Sequence, residues 1–326
     1  MRAVIIRSPG PDARLEIVEH PDPEAGPGEV LVRVGFAGCN FADTMLRRGT
    51  YPHPVSYPMI PGVELAGTIV ALGEGVSGLA EGQRIAAFAE GGGGYAELRV
   101  LPAEDVIPLP DEVGLEQGAG FPVQGLTAYH MLHTIGRIER GQNVLVNAIG
   151  GGVGLWTTQL AVAAGAHVFG TTGSAGKDGK PLALGAKAVI RRDREDFVAR
   201  LDELTEGQGI DLAIDSLGAE TLDRSFAAMR KLGHVISIGE AEGLPYTNIR
   251  ERLLPKSLTF TRFHLGHVER GTATAEAGID HVLGGIADGA YRAPIERIFP
   301  LDEAQAMHDA LESRTVAGKL LLRMPD

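Results

Sequence analysis

The chain opens with short apolar or alternating runs at Ala3–Arg7, Leu15–Glu19, Val30–Phe36, Leu65–Leu72, Arg84–Phe88 and Tyr95–Leu101. Gly/Pro turns such as Pro9-Gly10-Pro11, Pro21-Asp22-Pro23 and Pro27-Gly28 lie between them. Many short strands with that punctuation predict a β-rich, barrel-like or sandwich domain. The run Gly91-Gly92-Gly93-Gly94 reads as a plain turn between two strands, because no helix start follows it.

From about Gly118 the period changes. A helical pattern from Leu115 to Ile135 leads into apolar strands at Asn143–Asn147, His167–Thr171, Ala188–Arg191, Ile210–Asp215, His234–Ile238 and Ser257–Phe263. Helical patterns near 153–165, 174–184, 195–206 and 219–231 alternate with them, and a shorter one falls near 249–254. That alternation predicts βαβ units and a parallel sheet covered on both faces. Six strands complete a doubly wound dinucleotide-binding domain. Gly179 and Pro181 weaken the start of the helix after the second strand, so it is expected late or broken.

Beyond Phe263 the βαβ pattern stops. A helix is predicted from Thr272 to Asp288, a strand at Ile295–Phe299, a helix at Asp302–Ser313 with Asp302 as N-cap, and a strand at Lys319–Leu322. This tail is too short to bury a core of its own, so it is expected to complete the N-terminal domain.

Composition narrows the function classes. The formal net charge is −12, which is not the footprint of a nucleic-acid binder. A single cysteine, Cys39, excludes an internal disulfide and every site that needs two thiolates. Glycine is in excess, at 45 of 326 residues, which points to tight turns and close backbone approaches. The N-terminus lacks a signal-peptide pattern and no apolar run is long enough for a membrane span, so a cytoplasmic location is expected.

The most informative segment runs from Asn143 to Gly154. An apolar strand enters Gly150-Gly151-Gly152-Val153-Gly154, and these residues open a helix. A helix N-terminus offers unpaired N–H groups and a partial positive charge, so it suits a diphosphate. The match to G-x-G-x-x-G is imperfect, because Ile149 stands at the first glycine, followed by Gly151 and Gly154. The end of the second strand reads Thr171-Thr172-Gly173-Ser174, without the acid that would bond the ribose of NAD. Ser174, Lys177 and either Arg191 or Arg192 instead provide what a 2′-phosphate needs, which favours NADPH.

These residues resemble the medium-chain dehydrogenase/reductase superfamily, and within it the zinc-independent quinone oxidoreductases, including the zeta-crystallin-like proteins. The resemblance spans nearly the whole chain. It rests on Gly38-Cys39-Asn40-Phe41-Ala42-Asp43, Arg48-Gly49-Thr50-Tyr51-Pro52, Pro61 through Gly67, Gly125-Leu126-Thr127-Ala128-Tyr129, Ala148 through Gly154, Asp215-Ser216-Leu217-Gly218 and Glu312-Ser313-Arg314. It implies an α/β protein: a six-stranded Rossmann NADP-binding domain over 119–264, and a barrel-like (GroES-like) catalytic domain made of 1–118 and 265–326.

The resemblance also assigns roles. The metal-ligand positions of the zinc branch fall here on Asn40, on Val63 and near Val123, a set that leaves no zinc site. Hydride would then pass to an acceptor already activated by conjugation, a quinone or an α,β-unsaturated carbonyl. Asn40, Asp43 and Tyr51 are placed near the nicotinamide, in a cleft between the domains, with Tyr51 and Asn40 as candidate partners of the acceptor oxygen. The plainer alternatives are packing for Tyr51 and local capping for the Asn40/Asp43 pair. Cofactor contacts are implied for Thr127, His130, Gly151, Gly152, Val153, Gly173, Ser174, Lys177, Arg192, Ser216, Gly239 and Arg314. Arg192 stands where relatives carry a tyrosine. A homodimer paired through the edge strand 257–263 is expected, with a small molecule as the other partner. The competing readings are an enoyl-thioester or enone reductase, for which Arg47 and Arg48 hint at a basic rim, and a non-catalytic NADPH-binding protein.

Overall fold

A computed structural model of the chain describes residues 1–242 and 248–325. The chain divides into two compact units, one formed by Met1–Val123 with Glu269–Asp326, the other by Gln124–Val268.

The first unit begins with an antiparallel pair, β1 (Arg2–Ile5) and β2 (Glu16–Glu19). There follow β3 (Glu29–Cys39), helix α1 (Phe41–Arg48), β4 (Glu64–Leu72), β5 (Arg84–Phe88), β6 (Leu98–Pro102), β7 (Val106–Pro108) and a short helix α2 (Leu115–Ala119). The long strand β3 organises the unit. Val30, Val32 and Val34 alternate inward along it, at the two-residue period of a half-buried strand. Its first half pairs with β6 on one side, most of its length pairs with β4 on the other, and its last residues pair with a strand from the C-terminal tail.

The second unit starts with helix α3 (Gln124–Tyr129) and a wider π-helical turn, His130–Ile135. It continues through β8 (Asn143–Val146), α4 (Gly152–Ala163), β9 (His167–Thr172), α5 (Gly179–Ala183), β10 (Ala188–Arg191), α6 (Phe197–Leu204), β11 (Ile210–Asp215), α7 (Ala219–Ala228), β12 (Met229–Ser237), α8 (Ile249–Leu253) and β13 (Thr259–Arg262). Its six strands form one sheet in the order β10-β9-β8-β11-β12-β13, and every neighbouring pair is parallel. This is the doubly wound order, with the chain reversing direction on either side of β8.

The chain then returns to the first unit with α9 (Ala273–Ala287), β14 (Ile295–Pro300), α10 (Ala304–Glu312) and β15 (Lys319–Arg323). Strands β14 and β15 join the first unit's large sheet in the order β14-β15-β3-β4-β5-β7, and Phe299, Met307, Leu320 and Leu322 enter its core. The fold is thus a parallel Rossmann sheet plus a separate, largely antiparallel β-rich unit, as the strand grammar predicted.

Several expectations need correction. The predicted helix Leu115–Ile135 is broken: α2 ends at Ala119, Pro122 interrupts the path, and the helix resumes at Gln124. Asp302 is not the cap of the tail helix. It lies inside a 3₁₀ turn, Leu301–Glu303, and Glu303 precedes α10 without a side-chain cap. The helix predicted over 219–231 stops at Ala228, where Met229 turns extended. Lys256 Nζ donates to the carbonyls of Ala227 and Met229 at 2.6 and 2.7 Å and satisfies that helix end. Helix α5 starts late, at Gly179, as Gly179 and Pro181 suggested. The Gly91–Gly94 run is a turn tied by backbone, with Gly93 N–H on Ile60 O and Gly94 N–H on Gly62 O.

Candidate functional site

In the second unit the strand β8 ends at a buried asparagine. Asn147 Nδ2 donates to Asp215 Oδ1 at 2.9 Å and to Ser225 Oγ at 2.8 Å, and its Oδ1 accepts from Thr171 Oγ1 at 2.8 Å. Four elements, β8, β9, β11 and α7, are thereby tied at the carboxyl end of the sheet. Asp215 also accepts from Gly218 N–H at 2.8 Å, and burial pushes its carboxyl up to about 6. The sequence reading quoted Asp215 within a motif but missed Asn147, a polar residue closing an apolar strand.

The glycine turn follows directly. Ala148 takes a left-handed φ of 52°, and Gly151 N–H bonds back to Ala148 O. A Cβ on Gly154 would stand 2.6 Å from Ile149 O, so only glycine lets α4 begin this close to the turn. A Cβ on Gly152 would meet the Gln124 side chain at 2.0 Å, and one on Gly150 would meet Lys177 Cβ at 2.7 Å. The loop carrying Gly173, Ser174 and Lys177 therefore lies against the glycine turn. Ile149, at the place of the missing first glycine, packs its side chain under Gly170.

Arg191 and Arg192 point apart. Arg191 pairs with Asp193 at 2.5 Å. Arg192 turns the other way, so that a Cβ on Gly173 would lie 3.1 Å from its Nη2. It donates from Nη1 to Thr221 Oγ1 and Glu242 Oε1, and its Nε is buried with no partner among the described residues. Gly239 and Ser216 also adjoin, since a Cβ on Gly239 would stand 2.8 Å from Ser216 O. The turn, the following loop, Arg192, and the Ser216/Gly239 pair thus line the carboxyl edge of one sheet. Thr127 is buried in α3. His130 is not presented as a cofactor ligand: it is buried in the π-helical turn and shares a 2.9 Å bond with Thr134 Oγ1. Desolvation pushes its imidazole down to about 4. Arg314 belongs to the first unit, exposed after α10 with a left-handed φ of 57°.

In the first unit the Asn40, Val63 and Val123 positions surround a buried ion pair. Lys319 Nζ bonds Glu64 Oε1, and both side chains are fully buried. The same ammonium donates to Asn40 Oδ1 at 2.9 Å, while Asn40 Nδ2 donates to Glu64 Oε1 at 2.7 Å. Val123 N–H donates to Glu64 Oε2 at 2.8 Å. The chain's own ammonium is the cation of this corner, and Val63 and Val123 offer no side-chain donor. This residue set does not fit a catalytic zinc ion. Asn40 is committed at both ends of its amide, so holding Glu64 and Lys319 is its first duty.

Asp43 is corrected as a catalytic candidate. It is fully buried at the third position of α1, where it accepts from Asn40 N–H at 2.8 Å and Gly62 N–H at 3.0 Å. Tyr95 Oη donates to it at 3.4 Å. It is the reciprocal half of a helix cap, and burial pushes its carboxyl up to about 6. Cys39 is buried beside it, its thiol pushed up to about 12 by desolvation. Tyr51 is half-buried and packs against the cluster of Ile6, Leu46 and Val63, its ring 5.5 Å from that of His53. Arg47 and Arg48 share one carboxylate, Glu312, at 2.8 and 2.7 Å, so one of their two positive charges is balanced there.

Comparison with known proteins places this arrangement. Residues 26–111 match the alcohol dehydrogenase GroES-like domain and residues 152–282 match the zinc-binding dehydrogenase family. The fold is that of a medium-chain dehydrogenase/reductase. A probable quinone oxidoreductase of Schizosaccharomyces pombe is 33% identical over 98% of this chain and 96% of its own length. A 2-haloacrylate reductase from Burkholderia is 32% identical over 99% of this chain and 98% of its own. The Escherichia coli quinone oxidoreductase solved in complex with NADPH superposes with a TM-score of 0.93 at 32% identity, covering 99% of this chain and all of that one. The chain belongs to the quinone oxidoreductase family of that superfamily, and it is an oxidoreductase.

Two outcomes follow from the buried groups. Lys319→Met leaves Glu64 as an unpaired buried charge, and the expected loss is about 3–5 kcal/mol in denaturant unfolding. Adding Glu64→Gln to that variant recovers part of the loss; a double mutant no better than the single would contradict the pairing. The second outcome concerns pH. Asp43 titrates at about 6 folded against an ordinary 3.8, so the folded state holds the extra proton between those values. Its contribution to stability therefore declines as pH rises from about 4 to about 6. Over that window stability falls more steeply in the wild type than in Asp43→Asn, measured by urea unfolding at a series of pH values.

Proposed function

We propose that the chain is an NADPH-dependent, zinc-independent reductase that delivers hydride to quinones or other conjugated carbonyl acceptors. The observation that carries the cofactor half is the set of groups at the end of β9. Thr171, Thr172, Gly173 and Ser174 bring no carboxylate to the ribose position. Arg192 Nη2 lies against Gly173, and Lys177 lies against Gly150. A 2′-phosphate matches a guanidinium and an ammonium, through charge-assisted bonds. The NADPH-bound relative from Escherichia coli supports the same cofactor.

When bound, the nicotinamide supplies the hydride from its C4 position. The residues of this chain hold and orient. The first-turn N–H groups of α4, at Gly152 and Val153, would hold the diphosphate, and the glycines would keep side chains out of its path. Ser174, Lys177 and Arg192 take the adenosine phosphate, and Ser216 and Gly239 take the nicotinamide end. Thr127, in the same unit, would complete the cofactor contacts. On the acceptor side, the Tyr51 hydroxyl is the candidate group that would hydrogen-bond a carbonyl oxygen and supply a proton. Asn40 assists by keeping Lys319 and Glu64 in register. The haloacrylate-reducing relative supports a conjugated acceptor broader than quinones.

We also propose a homodimer paired through β13. This strand is the edge of the six-stranded sheet and pairs only with β12 among the described strands. Light scattering is expected to give twice the chain mass; a monomer at micromolar concentration would remove the dimer from the reading.

The deciding assay follows oxidation of NADPH against NADH with 1,4-benzoquinone, 9,10-phenanthrenequinone, simple enones and crotonyl-CoA. Turnover is expected with NADPH on the quinones or enones. A clear preference for NADH overturns the phosphate argument, and activity confined to saturated alcohols and their ketones overturns the acceptor argument.

A further inference from the structure

Arg192 is not waiting with its charge exposed. Its Nη1 lies 3.1 Å from Glu242 Oε1, and the same nitrogen donates to Thr221 Oγ1 at 2.5 Å. Glu242 is itself held in place. Its Oε1 accepts from Thr221 Oγ1 at 2.6 Å and its Oε2 accepts from Thr221 N–H at 3.3 Å. The side chains of the pair are 22% and 21% exposed, so solvent screens them only in part.

The position of the pair in the sheet matters more than its distance. Arg192 follows β10 and Glu242 follows β12, and the sheet order places β9, β8 and β11 between those two strands. Thr221 sits in the first turn of α7, which follows β11. The guanidinium passes Gly173, at the end of β9, on its way to these partners. A carboxylate from the far side of the sheet is therefore bonded to the arginine that the adenosine phosphate needs. A carboxylate and a phosphate oxygen want the same thing from a guanidinium: charge and a pair of parallel N–H donors.

We propose that Glu242 is a built-in competitor for the cofactor's 2′-phosphate. In the free protein its carboxylate neutralises Arg192. On binding, the phosphate replaces the carboxylate on the guanidinium, and Glu242 keeps only Thr221. A cofactor with a 2′-hydroxyl gains nothing from breaking the pair, so it binds without displacing Glu242. Preference for NADPH is then the difference between the Arg192–phosphate and Arg192–Glu242 interactions, and Glu242 sets its size. This rests on the NADPH reading above.

The test is direct binding, followed by quenching of protein fluorescence and by emission of the bound dihydronicotinamide. Glu242→Gln keeps the length and the contact with Thr221 but removes the charge. It is expected to lower the Kd for NADPH roughly three- to tenfold and to leave the Kd for NADH unchanged. Glu242→Ser, which withdraws the group altogether, changes NADPH affinity in the same direction. Arg192→Gln weakens NADPH alone, and adding Glu242→Gln to it has no further effect, because the two residues act as one unit. An unchanged or weaker NADPH affinity in both Glu242 variants overturns the competitor role while wild-type preference for NADPH leaves the cofactor reading intact. Unchanged NADPH affinity in Arg192→Gln overturns it as well. Equal wild-type affinities for NADPH and NADH would instead sink the cofactor reading and this inference with it.

Discussion

The first unit depends on a charge that cannot reach water. Lys319 and Glu64 are fully buried and bonded to each other. Two desolvated ions survive only when their remaining hydrogen-bonding capacity is filled. Here the filling is done by Asn40, at the start of α1, and by the backbone of Val123. Each partner comes from a different part of the chain: β4, the C-terminal strand β15, the end of β3, and the segment leaving the unit. The ion pair therefore fixes where the returning tail must dock. Gly38 records the same constraint, since a Cβ there would lie 2.5 Å from Glu64 Oε1 and 2.6 Å from Ala119 O.

The second unit solves a comparable problem without a cation. Asn147 and Asp215 close the carboxyl ends of β8 and β11, and Thr171 and Ser225 complete their bonding. This polar seal lies directly beneath the glycine turn. It lets the backbone turn sharply at Ala148 and open α4, so that the helix N-terminus faces outward from the sheet edge. The proposed cofactor site is thus a consequence of how strand ends are satisfied. An acidic chain is compatible with the proposed phosphate site because Arg192 lies against Gly173 and Lys177 against Gly150. Net charge describes the whole surface; it says little about the local charges beside one turn.

Much of this was legible beforehand. Strands with apolar runs bounded by glycine and polar turns were easy to place, so the parallel strands β10 and β11 and the antiparallel β5 were located to the residue. The glycine turn was readable because a strand precedes it and a helix follows. Other features were not. The break at Pro122 hid inside an apolar stretch whose helical period continues on both sides. Asp43 looked like chemistry because an acid near a tyrosine in a familiar motif has that appearance, yet its carboxylate is consumed by two N–H groups and a phenol. His130 carried no signal that its ring would turn toward Thr134. Arg191 and Arg192 are adjacent, and only the pleat of β10 and the charges around it decide which one turns inward.

The amino-acid sequence by itself determined the two kinds of domain, the strand count of the parallel-sheet unit and the glycine turn between β8 and α4, because these depend on periodicity and on residue types at short spacing. Tertiary structure alone decided that Lys319 supplies the cation beside Asn40, 279 residues away in the chain. It also decided that Glu242 meets Arg192 across 50 residues. Contacts of that separation leave no local pattern. They exist because the chain must satisfy buried charges wherever packing brings them, and packing is a property of the whole fold.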